Sequence, residues 1–426
     1  MKLPTRLFHA GGLVFFQLLG LFIPLLTLPI MAHGLGVVGF GQVMLAQSVT
    51  LLAVLWIDAG FNTESQRRAA QDLTQEIHAP QALIDNLLAR GVCALPALLI
   101  LSLLPLLLPS LSYSLLLACS PLILGTLLFP QWWLVATGHG WQMGFWSTIG
   151  RLFSALLTWL WVKNEQDIVW AALSVSLGSL MSGLLLWRIW LKPLFVNRTQ
   201  VKWRQWRQYL SDVRANLFSA FLAQASSQLP LIVIGALPSG SPQIGIFSAA
   251  DRLTRAAAHV FGSIEQSVMA SWLMPLQGAP EAFHAMRKRI MRHLLFALGL
   301  SAVVGFWFSE IIVTLLYGLA FKSTIAVLYI LIIWLCLHTL RRTIVMMYWS
   351  TEGDIAMQAR LQWSEVILTS LVLACTGALS MFHIFEWMTH SIAAEMAMAL
   401  CCVEVLLLCI CIKNLTGKTT MPQDAS

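Results

Sequence analysis

Residues 11–32 read GGLVFFQLLGLFIPLLTLPIMA, and residues 38–57 read VGFGQVMLAQSVTLLAVLWI. Neither stretch contains a charged side chain. A transmembrane helix needs about 20 consecutive apolar residues, so each stretch is long enough to cross a bilayer. The short segment between them contains Gly34 and Gly36 and leaves room only for a turn. These residues predict two membrane helices joined by a tight connection.

The composition of the whole chain agrees with that interpretation. Only 11% of the 426 residues are charged, whereas about 25% are charged in soluble domains. Continuing along the chain, we predict twelve spans: 11–32, 38–57, 86–108, 112–136, 141–162, 168–190, 213–236, 245–273, 293–317, 323–349, 361–382 and 391–412. We therefore expect an all-α, polytopic membrane protein.

The distribution of Lys and Arg predicts the orientation of these spans. Positively charged loops remain on the cytoplasmic side of a membrane. With the N-terminus inside, 19 of the 26 Lys and Arg residues fall in cytoplasmic segments, among them Arg67, Arg68 and Arg90. Only Lys163 and Lys322 fall outside, and five arginines lie within spans. Both termini are therefore predicted to be cytoplasmic, and the net charge of +7 reflects orientation rather than nucleic-acid binding.

The longest and most basic connection, from Lys192 to Arg214, divides the spans six and six. We expect it to be a solvated loop near anionic lipid headgroups. The domain organisation that follows is an N-terminal six-helix bundle at 1–190, a basic cytoplasmic linker at 191–212, a C-terminal six-helix bundle at 213–417 and a cytoplasmic tail at 418–426.

A faint internal repeat relates the two halves. Pro29 in the first span and Pro230 in the seventh lie at similar depths, and each is followed by a turn and a glycine-rich start of the next span. Interrupted helices at matching places in two halves are typical of a transporter's substrate path. We predict a hinge or gating role for both prolines; the alternative is that proline is simply common in membrane helices.

Charged residues inside the spans need a partner or a wet cavity, because one at mid-bilayer costs about 2.5–3.5 kcal/mol on insertion scales. A guanidinium stays protonated and binds phosphate oxygens in pairs. We therefore predict a cationic lumen for an anionic headgroup, lined by Arg151, Arg252, Arg255, Arg341, Arg342 and His259. The alternatives are structural: Asp251 pairs with Arg255 at i,i+4, the tenth helix ends before Arg341, and His259 is a satisfied core histidine.

Carboxylates within the spans are candidates for coupling to H⁺ or Na⁺, namely Asp251, Glu265 and Glu404. Glu310, Glu365 and Glu395 lie nearer to helix ends and are interpreted as interfacial. The eight cysteines form no CxxC pair and have no histidine cluster beside them. The sequence therefore predicts neither a metal site nor a cofactor.

Four segments, in chain order, resemble motifs of one known family. They are Leu28-Pro29 through Gly34-Leu35-Gly36 to Phe40-Gly41; Asp58-Ala59-Gly60-Phe61-Asn62; Phe129-Pro130-Gln131-Trp132-Trp133 with Gly138; and Gly245 through Phe247-Ser248-Ala249-Ala250-Asp251-Arg252. Together they are similar to the polysaccharide (O-antigen) flippase family of the multidrug/oligosaccharidyl-lipid/polysaccharide exporter superfamily. The chain departs from the family pattern at His33, Phe247, Asp251 and His139, which bears on sugar specificity.

This resemblance implies two pseudo-symmetric bundles around a central cavity. It implies movement of an undecaprenyl-diphosphate-linked oligosaccharide from the cytoplasmic to the periplasmic leaflet of the bacterial inner membrane, by alternating access and with ion coupling. The implied partners are that lipid-linked substrate, membrane lipids, H⁺ or Na⁺, a polysaccharide polymerase and a chain-length regulator. The alternative within the same superfold is a small-molecule or multidrug exporter. An enzyme is not expected, because the sequence lacks DxD, HxxxxD and GxSxG motifs where such chemistry would need them.

Overall fold

The computed structural model describes residues 3–62, 64–66, 80–106, 108, 110–136, 139–188, 203–237, 240–269, 280–347, 355–381 and 391–419. Within these ranges the regular elements are helical. The α-helices are α1 Leu3–Asp58, α2 Pro80–Leu103, α3 Tyr113–Cys119, α4 Pro121–Leu128, α5 Gln131–Ala136, α6 Gly140–Trp161, α7 Ile168–Leu186, α8 Trp203–Ala225, α9 Leu229–Ala236, α10 Gly240–Val268, α11 Pro280–Tyr317, α12 Thr324–Val345, α13 Ile355–Met381 and α14 Ile392–Thr419. The chain separates into two compact units, Met1–Gly245 (unit 1) and Ile246–Ser426 (unit 2), which are described one at a time.

The first two predicted spans are the two arms of α1. Their separation is a single non-helical residue, Gly36, with φ 65° and ψ −176°. A positive φ of this size costs little only for glycine, because no Cβ meets the following carbonyl group. Pro29 lies inside the first arm, and His33 Nδ1 lies 2.8 Å from the Pro29 carbonyl oxygen. The turn expected between the first two spans is therefore this single residue and not a loop.

Two predicted spans are broken where the sequence carries proline. The span at 112–136 consists of α3, α4 and α5, with Pro121 opening α4 and Pro130 immediately before α5. The span at 213–236 is divided at 226–228, so that Pro230 lies in the first turn of α9 rather than in a helix interior. Proline is favoured in a first turn because its missing N–H would be unpaired there anyway.

Small residues hold α6 against α7 in unit 1. A Cβ added to Gly150 would collide with the carbonyl oxygen of Gly178 and the side chain of Ser182. Two turns away, the Thr158 and Ser174 hydroxyl oxygens are 2.8 Å apart and both buried. Close backbone approach with hydroxyl pairs is a common way for membrane helices to associate without a hydrophobic driving force.

The segment predicted as a linker differs from the expectation where the structure describes it. From Trp203 onward it is helical, within α8. Tyr209 and Val213 are buried on one face of α8, in a cluster with Phe61 and Ala89. Their i,i+4 spacing gives α8 an apolar face that packs against Phe61 and Ala89 within unit 1, so residues 203–212 are not a solvated loop. Residues 67–79 and 189–202, with Arg67, Arg68 and the start of the linker, lie outside the described part of the chain, as does the tail from 420 onward.

In unit 2, α12 is the central helix and contacts α11 and α14 along its length. Phe306 of α11 and Tyr329 of α12 have ring centroids 5.3 Å apart. On the other side, the Cys401 thiol of α14 lies 3.3 Å from the carbonyl oxygen of Ile330. The α10 segment joins the unit through the Tyr317 hydroxyl, which donates to the Ala249 carbonyl oxygen at 3.1 Å.

The surfaces of several helices are apolar, as a membrane requires. On α11, Phe296, Val303 and Trp307 are 73%, 60% and 80% exposed, a face that only lipid or another protein would cover favourably. Seven helical segments among the described residues are long and apolar enough to cross a bilayer: Phe22–Asp58, Asp85–Leu106, Tyr113–Ala136, Ile168–Leu186, Glu281–Tyr317, Thr324–Val345 and Ile392–Lys413. The all-α, multi-pass membrane fold is thus confirmed; the count of twelve spans, the division at 191–212 and the central cavity stay predictions.

Candidate functional site

The structure distributes the five predicted arginines unequally. Arg151 lies on α6 in unit 1, whereas the other four lie on two helices of unit 2, Arg252 and Arg255 on α10 and Arg341 and Arg342 on α12. The expected cationic set is therefore assembled mainly within unit 2. Each arginine differs in its partners, and these decide what chemistry it can offer.

Arg151 is exposed and has no ion-pair partner among the described side chains. Its guanidinium lies against α1 at Gly20, where an added Cβ would collide with Nη1. The glycine therefore makes room for the arginine beside α1. A guanidinium at this depth, without a neighbouring carboxylate in the described part of unit 1, retains its capacity to bind an anion.

On α10, Arg255 forms the i,i+4 ion pair with Asp251 that its sequence spacing allows. Arg255 Nε donates to Asp251 Oδ2 at 2.6 Å, and Asp251 is buried. The same guanidinium lies 5.8 Å from the ring centroid of Trp334 on α12. The pair links two helices of unit 2 and leaves little of the Arg255 charge uncompensated. His259, one turn further along α10, is exposed and its carbonyl oxygen accepts a hydrogen bond from Ser263.

On α12, Arg341 is the hub of a buried polar group that we call the α12–α14 cluster, formed by His338, Arg341, Glu365 and Glu404. Arg341 Nε donates to Glu404 Oε2 at 2.6 Å. Its Nη1 and Nη2 donate to the two carboxylate oxygens of Glu365, both at 3.0 Å. His338 Nδ1 lies 2.8 Å from Glu404 Oε1. One guanidinium thus joins three helices, α12, α13 and α14.

Arg342, the next residue, forms a separate pair with Glu265 of α10, with 3.3 Å between Nε and Oε2. Glu265 is buried and Arg342 is partly exposed. Arg255, Arg341 and Arg342 therefore each bind a carboxylate directly, and Arg252 interacts electrostatically with Asp251. Whether these side chains also contact a substrate stays a prediction, as do the coupling roles of Asp251, Glu265 and Glu404 and the hinge role of Pro29 and Pro230.

Two residues have partners that the sequence did not predict. Both oxygens of Glu365 bind Arg341. Arg90 lies inside α2, where it is 1% exposed, forms an ion pair with Asp58, and donates to the Thr126 carbonyl oxygen at 2.9 Å. A buried charge of this kind is tolerated because it is paired and hydrogen-bonded. The interfacial position of Glu365 and the cytoplasmic position of Arg90 stay predictions.

The sequence reasoning also missed His338. Its i,i+3 spacing from Arg341 places the two side chains on one face of α12, which was the available signal. One nitrogen or oxygen atom each from His338, Glu365 and Glu404 lie within 4.8 Å of one another, a donor set that suits a metal ion. The guanidinium of Arg341 already binds both carboxylates, so the cation in this arrangement is supplied by the protein itself.

The family of the chain follows from its sequence similarity. A family model described as "Polysaccharide biosynthesis protein" matches residues 10–272, more than half of the chain. The chain belongs to this family. Membership of the polysaccharide biosynthesis protein family agrees with the four motifs, all of which lie within the matched residues.

Two curated relatives carry the name "Putative O-antigen transporter". The protein of Escherichia coli (strain K12) is 23% identical over 255 residues, which are 58% of this chain and 60% of that protein. The protein of Shigella dysenteriae is 27% identical over 287 residues, 66% of this chain and 71% of that protein. The first alignment therefore spans less than two thirds of the relative's length.

Solved structures show the fold over nearly the whole chain. The lipid II flippase MurJ in an inward closed conformation matches with a TM-score of 0.70 and 16% identity, covering 96% of this chain and 87% of that one. An inward-facing multidrug resistance MATE family transporter of the MOP superfamily matches with a TM-score of 0.69 and 14% identity, covering 95% and 99%. At these identities the likeness establishes the polytopic helical architecture and no substrate.

Proposed function

We propose that this protein is a flippase that moves an undecaprenyl-diphosphate-linked oligosaccharide, an O-antigen or similar repeat unit, from the cytoplasmic to the periplasmic leaflet of a bacterial inner membrane. The observation that carries the proposal is the match to the polysaccharide biosynthesis protein family over residues 10–272. The names of the two relatives and the fold shared with a lipid II flippase support it. Both termini are proposed to be cytoplasmic, as the charge distribution predicts.

The physical task of such a protein is to shelter a charged headgroup while its lipid tail remains in the bilayer. A diphosphate is anionic near neutral pH, and a charge crossing hydrocarbon without partners is prohibitively unstable. Arg151 suits this task best among the predicted arginines, because no described carboxylate competes for it. Arg255, Arg341 and Arg342 would first have to exchange a carboxylate for a phosphate. Alternating access between two halves would then carry the sugar across in water.

Arg151 provides the direct test. We expect Arg151→Ala to slow transport by about 10- to 100-fold, since a hydrogen bond to a charged group contributes about 1.5–3 kcal/mol. Purified protein in liposomes would be supplied with the fluorescently tagged lipid-linked oligosaccharide in both leaflets. The fraction that becomes accessible to an external glycosidase over time measures the rate. Arg151→Lys keeps the charge and is expected to retain part of the activity.

The matched control is Lys322→Ala, which removes a charge that is exposed and paired only with the equally exposed Glu310. It is expected to transport as the unmodified protein does. An Arg151→Ala protein that transports at the full rate would remove Arg151 from the substrate path. An unmodified protein that never moves the lipid-linked sugar, but lowers the accumulation of drugs in cells, would overturn the proposal in favour of a small-molecule exporter.

A further inference from the structure

The charges of the α12–α14 cluster do not balance by themselves. Its carboxylates, Glu365 and Glu404, carry two negative charges when ionised, and the guanidinium of Arg341 supplies one positive charge. With a neutral His338 imidazole the cluster is left with one net negative charge. A net charge held at membrane depth and away from bulk water is costly, and a group in that position tends to bind a proton. One additional proton makes the cluster neutral.

The contact between His338 and Glu404 is the place where that proton fits. Their Nδ1 and Oε1 atoms are 2.8 Å apart, a distance that requires one hydrogen between them. Either the imidazole donates to the carboxylate, or a protonated carboxyl group donates to the imidazole. In the first case the second ring nitrogen is still able to take a proton. Imidazole is the side chain whose charge normally changes near neutral pH.

The other acids of unit 2 near the cluster lie on α10, and each has an arginine of its own. Glu265 pairs with Arg342 and also interacts electrostatically with the His338 imidazole. Asp251 pairs with Arg255 and lies beside the positive charge of Arg252. Glu365 and Glu404 differ from them in sharing one guanidinium, that of Arg341.

The remaining helices that contact α12 bring no second acid to His338 among their described side chains. On α11, the titratable residues Arg292 and His293 are both exposed. On α14, the Cys401 thiol is directed to the Ile330 carbonyl oxygen. Cys411 packs in the apolar cluster with Ile344 and Leu361.

The cluster has one buried side and one open side. The side chains of His338 and Glu365 are 25% and 24% exposed, whereas those of Glu404 and Arg341 are only 4% and 8% exposed. His338 is therefore the basic group of the cluster that a proton reaches from the open side, while the Arg341–Glu404 pair lies behind it.

We propose that His338 and Glu404, supported by Arg341 and Glu365, form a site that binds and releases one proton at the Nδ1–Oε1 contact. Binding of that proton is a property of unit 2 alone. The use of that proton to drive transport rests on the proposed function. In that role the α12–α14 cluster as a whole, and not Asp251, Glu265 or Glu404 acting alone, would be the coupling site.

Trp334 offers a readout that does not depend on transport. Its indole ring stacks on the His338 imidazole, with 4.8 Å between centroids and 18° between planes. A protonated imidazole in contact with indole quenches its fluorescence. The full-length protein in detergent should therefore lose tryptophan emission as the pH falls from about 8 to 5, the range over which imidazole gains charge. Both His338→Gln and Trp334→Phe should abolish this component.

Two further variants make the result specific. His293→Gln removes an exposed imidazole on α11 and should leave the pH-dependent emission unchanged. Glu404→Gln removes the carboxylate that holds the proton and should move the transition to lower pH. The proposal is overturned if the emission of the unmodified protein and of the Trp334→Phe variant changes identically with pH. It is equally overturned if the transition is unaffected by Glu404→Gln.

Coupling is tested separately in the liposome assay, with a pH gradient imposed across the membrane. The gradient should accelerate transport by the unmodified protein and by His293→Gln, and should have no effect on His338→Gln. A fluorescence transition without any transport would contradict the proposed flippase and leave the proton site intact. Transport that responds to the gradient in His338→Gln would remove the site from coupling.

Discussion

At the scale of single residues, most of the charged side chains discussed above form ion pairs with one another. Arg90 with Asp58, Arg255 with Asp251 and Arg342 with Glu265 each bring one guanidinium to one carboxylate, whereas Arg341 binds two carboxylates. A buried pair contributes little net stability compared with apolar residues, but loss of one member leaves an uncompensated charge. The arginines therefore differ in how much the fold depends on them.

Arg341 should be the least replaceable of the arginines in unit 2. We expect Arg341→Met to destabilise the purified protein by about 3–5 kcal/mol, because Glu365 and Glu404 both lose their partner. Arg342→Met should cost less, because Arg342 is 40% exposed and leaves one carboxylate without a partner, whereas Arg341 leaves two. Thermal unfolding in detergent, followed by size-exclusion chromatography, measures both.

A double variant separates charge from packing in this comparison. Arg341→Met combined with Glu404→Gln removes one charge of each sign, so it should recover part of the loss. Equal instability of the single and the double variant would mean that the guanidinium acts by filling space rather than by compensating charge.

At the scale of helices, small residues decide where the backbones approach. Gly150 of α6 faces the Gly178 carbonyl oxygen of α7, whereas a Cβ on Gly91 of α2 would have nothing within 4 Å. The two glycines therefore differ in purpose although both lie inside helices. At Gly150, the absence of a side chain allows the two helix backbones to touch. At Gly91, the absence of a side chain only lowers the helix propensity.

This contrast gives a paired prediction. Gly150→Ala should destabilise the protein, since α6 and α7 must separate to admit the methyl group, and such overpacking typically costs about 1–3 kcal/mol. Gly91→Ala should be neutral or stabilise by up to about 1 kcal/mol, the difference in helix propensity between the two residues. Melting temperatures of the two variants in the same detergent are the measurement, and a loss of stability in both would contradict the packing argument.

Hydropathy predicts helices better than it predicts their interruptions. The spans at 141–162 and 323–349 correspond to α6 and α12, because long, predominantly apolar runs have no other stable form in a membrane. The breaks at Ser120 and at 226–228 were not anticipated, since apolarity is continuous across them. Arg341 and Glu404 were each identified as unusual, but their pairing across a sequence separation of 63 residues depends on tertiary packing that no local pattern encodes.

At the scale of the whole molecule, the fold is that of a multi-pass helical membrane protein and the orientation is inferred from charge. The basic residues Arg287, Lys288, Arg289 and Arg292 lie in the first turns of α11, so they extend this helix beyond its apolar part. Cationic residues next to an apolar face are favoured beside anionic headgroups of the cytoplasmic leaflet. The same asymmetry underlies the proposed position of the termini.

Orientation is directly measurable. A fluorescent protein that matures only in the cytoplasm, fused after Ser426, should be bright in cells. A cysteine placed at Lys163 or Lys322 should react with a membrane-impermeant thiol reagent added outside, in a variant without native cysteines, whereas one placed at Arg289 should not. Labelling at Arg289 from outside would invert the proposed topology.

The sharing of one guanidinium by α12, α13 and α14 also limits how unit 2 is able to deform. Sliding any of these three helices by one turn would break a bidentate contact in a medium that offers no substitute donor. They should consequently move as a single rigid body, and bending during the proposed transport cycle should be concentrated in α11. Chemical cross-links among α12, α13 and α14 should thus leave transport unchanged, while cross-links between these helices and α11 should stop it.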